Sequence, residues 1–167
     1  MSLNSIVDQL KKLSVHKRVH FVIQSLNGFE VHKQLLKEDS LEICDILEKD
    51  LLFLKDNPSL GMECLIDITA VDFPEKTVRF MVVYSLLSIS KNFRLKVKVN
   101  VSEESALPSI NEIYSCAGWC EREIWDLFGI RFKDHPDLRR LLTDYDFHGH
   151  PLRKDFPLTG HNEVRYS

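Results

Sequence analysis

Apolar residues change their spacing several times along the chain, and each change marks an element. Leu3, Ile6, Val7, Leu10 and Leu13 recur at helical spacing, which predicts a short amphipathic helix ahead of Lys17-Arg18. His20 to Gln24 reads as a strand, Asn27-Gly28 as a tight turn, and Phe29 to His32 as the returning strand of a hairpin. Asp39 and Glu42 stand at capping-box spacing. Ile43, Leu47, Leu51 and Leu54 line one face of the helix they open, and Asn57-Pro58 ends it.

From Met62 to Val101 the period falls to two. Cys64, Ile66, Ile68 and Ala70 alternate, then Val78, Phe80, Val82, Tyr84 and Leu86, then Phe93, Leu95, Val97, Val99 and Val101, which predicts three strands in a meander. Arg94, Lys96 and Lys98 occupy the other face of the last strand, so that face meets water or an acidic neighbour. Pro108 suits the first turn of a helix running through Ile110, Ile113 and Tyr114 to Gly118. A second helix is predicted from Trp119 to Phe128, with Gly129 as its stop. The simplest packing is an α+β fold, a small, mainly antiparallel sheet with helices packed on it.

Past Gly129 the periodicity is lost. Pro136, Gly149, Pro151, Pro157 and Gly160 punctuate the segment, yet Leu138, Leu141, Leu142, Tyr145, Phe147, Leu152, Phe156 and Leu158 keep it apolar. Burial of such side chains is favourable by about 25 cal/mol per Å², and an extended segment has too few self-contacts to bury them all. The chain therefore divides into a core domain over 1–130 and an extended, Pro-rich C-terminal segment over 131–167, expected to pack on partner subunits. Arg139, Arg140, Arg153 and Lys154 suit pairing with carboxylates or carbonyls of a facing surface. The alternative is internal pairing with Asp134, Asp137, Asp144, Asp146 or Asp155.

Candidate chemistry is sparse. Asp144, Asp146, His148 and His150 alternate, so an extended backbone would point two carboxylates and two imidazoles to one side, the donor set of a metal-dependent hydrolase. Glu121, Arg122, Glu123 and Asp126 crowd one predicted helix, where Arg122 can pair with Asp126 at i,i+4 spacing; Glu121 and Glu123 point to different sides and cannot easily share a substrate. Cys44, Cys64, Cys116 and Cys120 match neither zinc nor iron–sulfur spacing and read as buried small hydrophobes. There is no Gly-rich phosphate loop, no Gly-x-Ser-x-Gly and no His-Glu-x-x-His.

Composition narrows the classes further. With 22 Lys and Arg against 25 Asp and Glu, the 167-residue chain has a net charge of −3, which argues against broad nucleic-acid binding. A hydrophobic content of 44% argues against disorder. No window approaches the about 20 apolar residues of a membrane-spanning helix. The first eighteen residues lack the apolar centre of a signal peptide, which predicts an unprocessed start in a reducing compartment.

The run Glu121-Arg122-Glu123, Asp126-Leu127-Phe128, His135, Arg139 and Leu141-Leu142 resembles the signature of the C subunit of respiratory complex I, the proton-pumping NADH:quinone oxidoreductase. Leu142 to Tyr145, Gly149 to Leu158 and Glu163-Val164-Arg165-Tyr166 are similar to its bacterial and mitochondrially encoded members, and Leu65 to Asp72 resembles the family's first central strand. The resemblance implies a scaffold and assembly subunit of the peripheral arm beside subunits D, B and I, with FMN, iron–sulfur clusters and quinone held by partner subunits. The complex moves electrons from NADH to a quinone, and the isolated chain is expected to have no activity. The expected location is peripheral, on the cytoplasmic side of a bacterial inner membrane or the matrix side of a mitochondrial one, with the membrane reached only through the complex. Glu121, Arg122, Glu123, Asp126, His135, Arg139 and Arg153 carry the signature and are expected to act in structure or docking, none as a catalyst.

Overall fold

In chain order the elements are β1 (Val19–Ile23), β2 (Glu30–Leu35), α1 (Ser40–Asp56), β3 (Cys64–Asp72), β4 (Phe80–Ser88), β5 (Phe93–Val101), β6 (Ala106–Pro108), α2 (Ala117–Phe128) and β7 (Arg131–Lys133). This computed structural model describes the backbone of β1, β2 and residues 40–160, and the side chains of residues 46–160. The expected helix over Leu3 to Leu13, the Asn27-Gly28 turn and the motif Glu163 to Tyr166 lie outside the described residues.

The alternation past Met62 yields the expected antiparallel meander β3-β4-β5. Its inward face carries Phe80, Val82, Tyr84 and Leu86 of β4 and Phe93, Leu95, Val97, Val99 and Val101 of β5, all buried. Strand β3 departs from strict alternation. A register shift between Leu65 and Asp67 turns Leu65 inward and leaves Ile66 51% exposed, so the predicted inward set Cys64, Ile66, Ile68 and Ala70 holds only from Ile68 onward. An irregularity that inserts a residue flips every side chain behind it, and periodicity alone does not reveal one.

Strands β1 and β2 form the predicted antiparallel hairpin, and β2 then joins β5 in parallel, giving the sheet order β1-β2-β5-β4-β3. In that register Arg94, Lys96 and Lys98 are the Cα partners of Glu30, His32 and Gln34. Helix α1 buries Leu47, Leu51 and Leu54 against the core and packs on β6, while α2 packs on β3. The result is the expected α+β architecture, mainly antiparallel with its helices laid on the sheet.

The predicted helix from Pro108 to Gly118 does not form. Ala106–Pro108 is instead a short strand in parallel with β7, and the Ser109 N–H continues that ladder to the Lys133 carbonyl at 2.9 Å. The chain then makes two tight turns, with Tyr114 N–H donating to the Ile110 carbonyl at 2.8 Å and Ala117 N–H to the Tyr114 carbonyl at 2.9 Å, as α2 begins at Ala117. Proline suits this edge position, where its missing N–H removes no bond of the ladder.

Candidate functional site

Helix α2 has two working faces. Ala117, Glu121 and Ile124 turn toward the core, while Arg122 and Asp126, one turn apart, form a polar stripe that is nonetheless buried. What buries it is the irregular segment from Arg139 onward. Such a segment has no ladder of its own, so its backbone groups need partners elsewhere.

Arg122 and Asp126 provide them. Arg122 donates from Nε to the Arg139 carbonyl at 3.2 Å and from Nη2 to the Arg140 carbonyl at 3.0 Å. Asp126 Oδ2 accepts the next three backbone N–H groups, those of Leu141, Leu142 and Thr143, at 3.0, 2.7 and 2.9 Å. The expected Arg122–Asp126 pair is therefore not made. Asp126 pairs with Arg140, whose Nη1 lies 2.8 Å from Oδ1, and the Thr143 hydroxyl donates to the same oxygen. The Arg140 guanidinium also sits 5.7 Å from the ring centroids of both Trp125 and Phe147. Burial pushes the Asp126 carboxyl up, but the bonds from Thr143, Arg140 and Leu142 outweigh it and hold the group well below the usual carboxylate range.

The same segment then closes the end of α2. The last carbonyls of a helix have no partner within it. Here Gly129 N–H takes the Trp125 carbonyl in a left-handed cap, His150 Nδ1–H donates to Asp126 at 2.8 Å, Leu152 N–H to Leu127 at 3.0 Å, and Arg153 Nε to Phe128 at 2.6 Å. Arg140 and Arg153 bring positive charge to the negative end of the helix dipole. Gly129 has φ 78°, and a Cβ there would stand 2.5 Å from Arg153 Nη2 and 2.6 Å from the His150 ring.

A second anchor lies at the end of β3. Asp72 is buried, receives Arg79 Nε and Nη2 at 2.8 and 3.0 Å, and accepts the Lys154 N–H at 2.8 Å. The Arg79 bond, against burial, depresses the Asp72 carboxyl. Arg79 also reaches Asp155 at 2.9 Å, and Arg153 pairs with Glu103; both guanidinium groups lie over Phe80. Internal pairing thus accounts for Arg140 and Arg153, but with Asp126 and Glu103 rather than the aspartates of their own segment.

Glu121 anchors a third connection. It is fully buried, accepts the Ile110 N–H at 2.8 Å and the Ser109 hydroxyl at 2.7 Å, and has His135 Nε2 at 3.7 Å. Asp137 N–H donates to His135 Nδ1, so Nε2 carries the proton that goes to the Gly118 carbonyl. Burial raises the Glu121 carboxyl above its ordinary range, although both hydrogen bonds oppose it. Glu123 and Arg139 face solvent, Arg139 paired with Asp137 at 2.9 Å.

The signature residues other than Glu123 therefore meet around α2 and the segment wrapped on it. Arg140, Thr143, Asp72 and Arg79 complete the arrangement without being among the site residues expected from the sequence, and His150 joins it as a helix cap rather than as the metal ligand its spacing suggests. Apart from Asp72 and Arg79, seven residues apart across a turn, they find their α2 partner Asp126 fourteen or more residues away along the chain, and no local spacing marks them. Arg140 carries a signal as one of the basic residues set among apolar ones, and Asp72, Thr143 and His150 fall within the stretches that resemble the family.

The irregular segment that follows Arg139, the arm, leaves four large apolar side chains outside, among exposed polar ones such as Asp144, Asp146, His148 and Lys154. Leu142 is 62%, Tyr145 84%, Leu152 52% and Leu158 fully exposed. His150, by contrast, is turned onto a helix carbonyl, and among the described residues no three His, Cys, Asp or Glu side chains come together as metal ligands. The hydrolase reading of Asp144, Asp146, His148 and His150 is left without a site. Nor are the cysteines uniformly buried: Cys116 is exposed and Cys64 and Cys120 are half-buried, while the side chain of Cys44 lies outside the described residues.

Comparison with known proteins bears on what this surface serves. Residues 43–162 match the model of the family described as "Respiratory-chain NADH dehydrogenase, 30 Kd subunit". The C subunit of NADH-quinone oxidoreductase from Paramagnetospirillum magneticum is 55% identical over 118 residues, covering 71% of this chain and 59% of that protein. The same-named protein of Azorhizobium caulinodans is 48% identical over 161 residues, covering 95% of this chain and 74% of its own length. NADH-ubiquinone oxidoreductase subunit 9 of Prototheca wickerhamii is 53% identical over 122 residues, 73% of this chain and 64% of that one. The matched region thus spans less than two thirds of several of these curated relatives. A chain in the structure of the membrane-bound sulfane sulfur reductase, an archaeal respiratory membrane complex, shares the fold with a TM-score of 0.71 at 23% identity, covering 93% of this chain and 85% of that chain. With the family match running through both helices, the meander and the arm, the chain belongs to the respiratory-chain NADH dehydrogenase 30 Kd subunit family.

Proposed function

We propose that the chain is a non-catalytic scaffold subunit of the peripheral arm of a proton-translocating NADH:quinone oxidoreductase, and that its C-terminal segment, 131–167, is its docking element. The observation that carries this reading is the contrast within the arm. Its polar backbone is held to the domain by buried groups, above all Asp126, while Leu142, Tyr145, Leu152 and Leu158 face outward without apolar cover. An apolar surface held in one conformation loses little further entropy on binding, which favours association with another chain.

In this reading the partners are subunits D, B and I of the complex, and FMN, the iron–sulfur clusters and the quinone belong to partner subunits. Glu121, Arg122, Asp126, His135 and Arg153 shape the docking element from inside, while Glu123 and Arg139 stand at its surface. The buried carboxylates have their oxygens engaged by N–H, hydroxyl or guanidinium groups, as suits anchors. No helix among the described residues is long and apolar enough to cross a membrane; in this reading the chain is peripheral, on the cytoplasmic or matrix face, and meets the membrane through the complex.

A mass-spectrometric inventory of the native assembly isolated through this chain tests the reading. Subunits D, B and I are expected in the same particle, and the isolated chain is expected not to oxidise NADH. A chain that purifies without a quinone-reducing partner, or that turns over alone, contradicts it.

A further inference from the structure

Beside the arm, on the N-terminal half of α2, is a cleft of about 240 Å³ whose lining includes Asn111, Trp119, Arg122, His135, Asp137 and Arg139. Arg122 is only 9% exposed, yet two backbone carbonyls are the acceptors it meets, and among the described residues no carboxylate pairs with it. Its Nη1 makes no hydrogen bond among those residues either. A buried cation held only by carbonyl dipoles lacks the counter-charge that such groups normally have. Trp119 lies against it, with the guanidinium 5.1 Å from the ring, and is itself 63% exposed. Arg139 adds a second, solvent-facing guanidinium, of which Asp137 engages the Nε side.

We propose that this cleft receives an acidic peptide segment of a neighbouring subunit, its carboxylate on Arg122 and Arg139 and the apolar side chain next to it on the Trp119 indole. The proposal rests on the subunit reading above and adds a second contact, separate from the arm's apolar face. A guanidinium presents a planar fork that matches a carboxylate, and Trp and Arg are the residue types that dominate binding at interfaces. The carboxylate of Asp137 in the same wall disfavours a doubly charged phosphate, whereas a single carboxylate beside an apolar group fits both the charge and the indole.

The test uses the full chain in the assembled complex, with Trp119 replaced by the photoreactive residue p-benzoyl-phenylalanine. After irradiation, the adduct is expected on a partner peptide that has Asp, Glu or a chain-terminal carboxylate next to an apolar residue. In parallel, Arg139→Glu is expected to lower the share of the chain found in the complex about tenfold, while melting as the parent does when isolated. Adducts on lipid only, on a peptide without a carboxylate, or on nothing, in a chain that still assembles, overturn the proposal and leave the subunit reading standing. Undiminished assembly of Arg139→Glu overturns it as well. A parent chain that never enters the complex removes both.

Discussion

Arg140 and Asp126 are fourteen residues apart and form a partly buried ion pair at 2.8 Å, with the same aspartate accepting the three backbone N–H groups that follow Arg140. One side chain of the helix therefore sets both the position and the direction of the arm. Charge-assisted bonds of this kind are stronger than neutral ones, and removing one partner leaves the others buried and unmatched.

Asp126→Asn is accordingly expected to loosen the arm by about 3 kcal/mol, since an amide cannot accept the same set of donors. Trypsin cleavage after Arg139, Arg140 and Arg153 should accelerate by about a hundredfold at pH 7.5, with the β3-β4-β5 meander left protected. Unchanged cleavage in the arm would show that Asp126 does not hold it.

Acid should act through the same group. The folded-state value of Asp126 lies below its ordinary 3.8, so its contribution is present above about pH 4 and is lost as the pH falls through the folded value. The arm of the parent is expected to open to protease in strong acid before the core unfolds. An arm that stays closed until global unfolding contradicts this.

Glu121 has the opposite sign. Burial raises its carboxyl above the ordinary 4.5, so the folded state keeps a proton that the unfolded chain releases, and stability falls as pH rises through that window. Glutamine keeps an oxygen for the Ile110 N–H and never ionises. Glu121→Gln should be at least as stable as the parent at pH 7.5, with the difference shrinking toward pH 4.5. Urea titrations at the two pH values measure it, and a Gln variant less stable at pH 7.5 refutes the assignment.

Gly129 and Gly160 provide a matched pair, with φ of 78° and 72°. A Cβ at Gly129 meets Arg153 and His150, whereas at Gly160 nothing among the described residues lies within 4 Å. Gly129→Ala should cost about 2 kcal/mol and Gly160→Ala about 1 kcal/mol or less. Equal costs would mean that the arm does not press on the end of α2.

Much of the frame was legible in the chain. The period-two runs mark the meander, Leu47, Leu51 and Leu54 mark the buried face of α1, and Gly129 marks the end of α2. The segment after Pro108 was misread because Ile110, Ile113 and Tyr114 have helical spacing. They are buried from a turn entered through Ser109 and Ile110, whose N–H groups go to the Lys133 carbonyl and to Glu121, while Ile113 and Tyr114 N–H bond back to the Ile110 carbonyl. Arg122 and Asp126 were expected to pair because the i,i+4 rule sees only sequence neighbours. Both prefer the backbone of an irregular segment that has no other partner, and such a segment has no periodicity to announce where it lies. The parallel pairing of β2 with β5 likewise joins residues more than sixty apart, beyond the reach of any local pattern. Family resemblance marked Asp126 and Arg153 as important but not what they hold.

The outward apolar face of the arm is the centre of the account, and hydroxyl-radical footprinting reads it directly. Oxidation of Leu142, Tyr145, Leu152 and Leu158 should be strong in the isolated chain and fall at least about fivefold in the intact complex, as burial at an interface requires. Equal oxidation of these four side chains in the free chain and in the complex would contradict it.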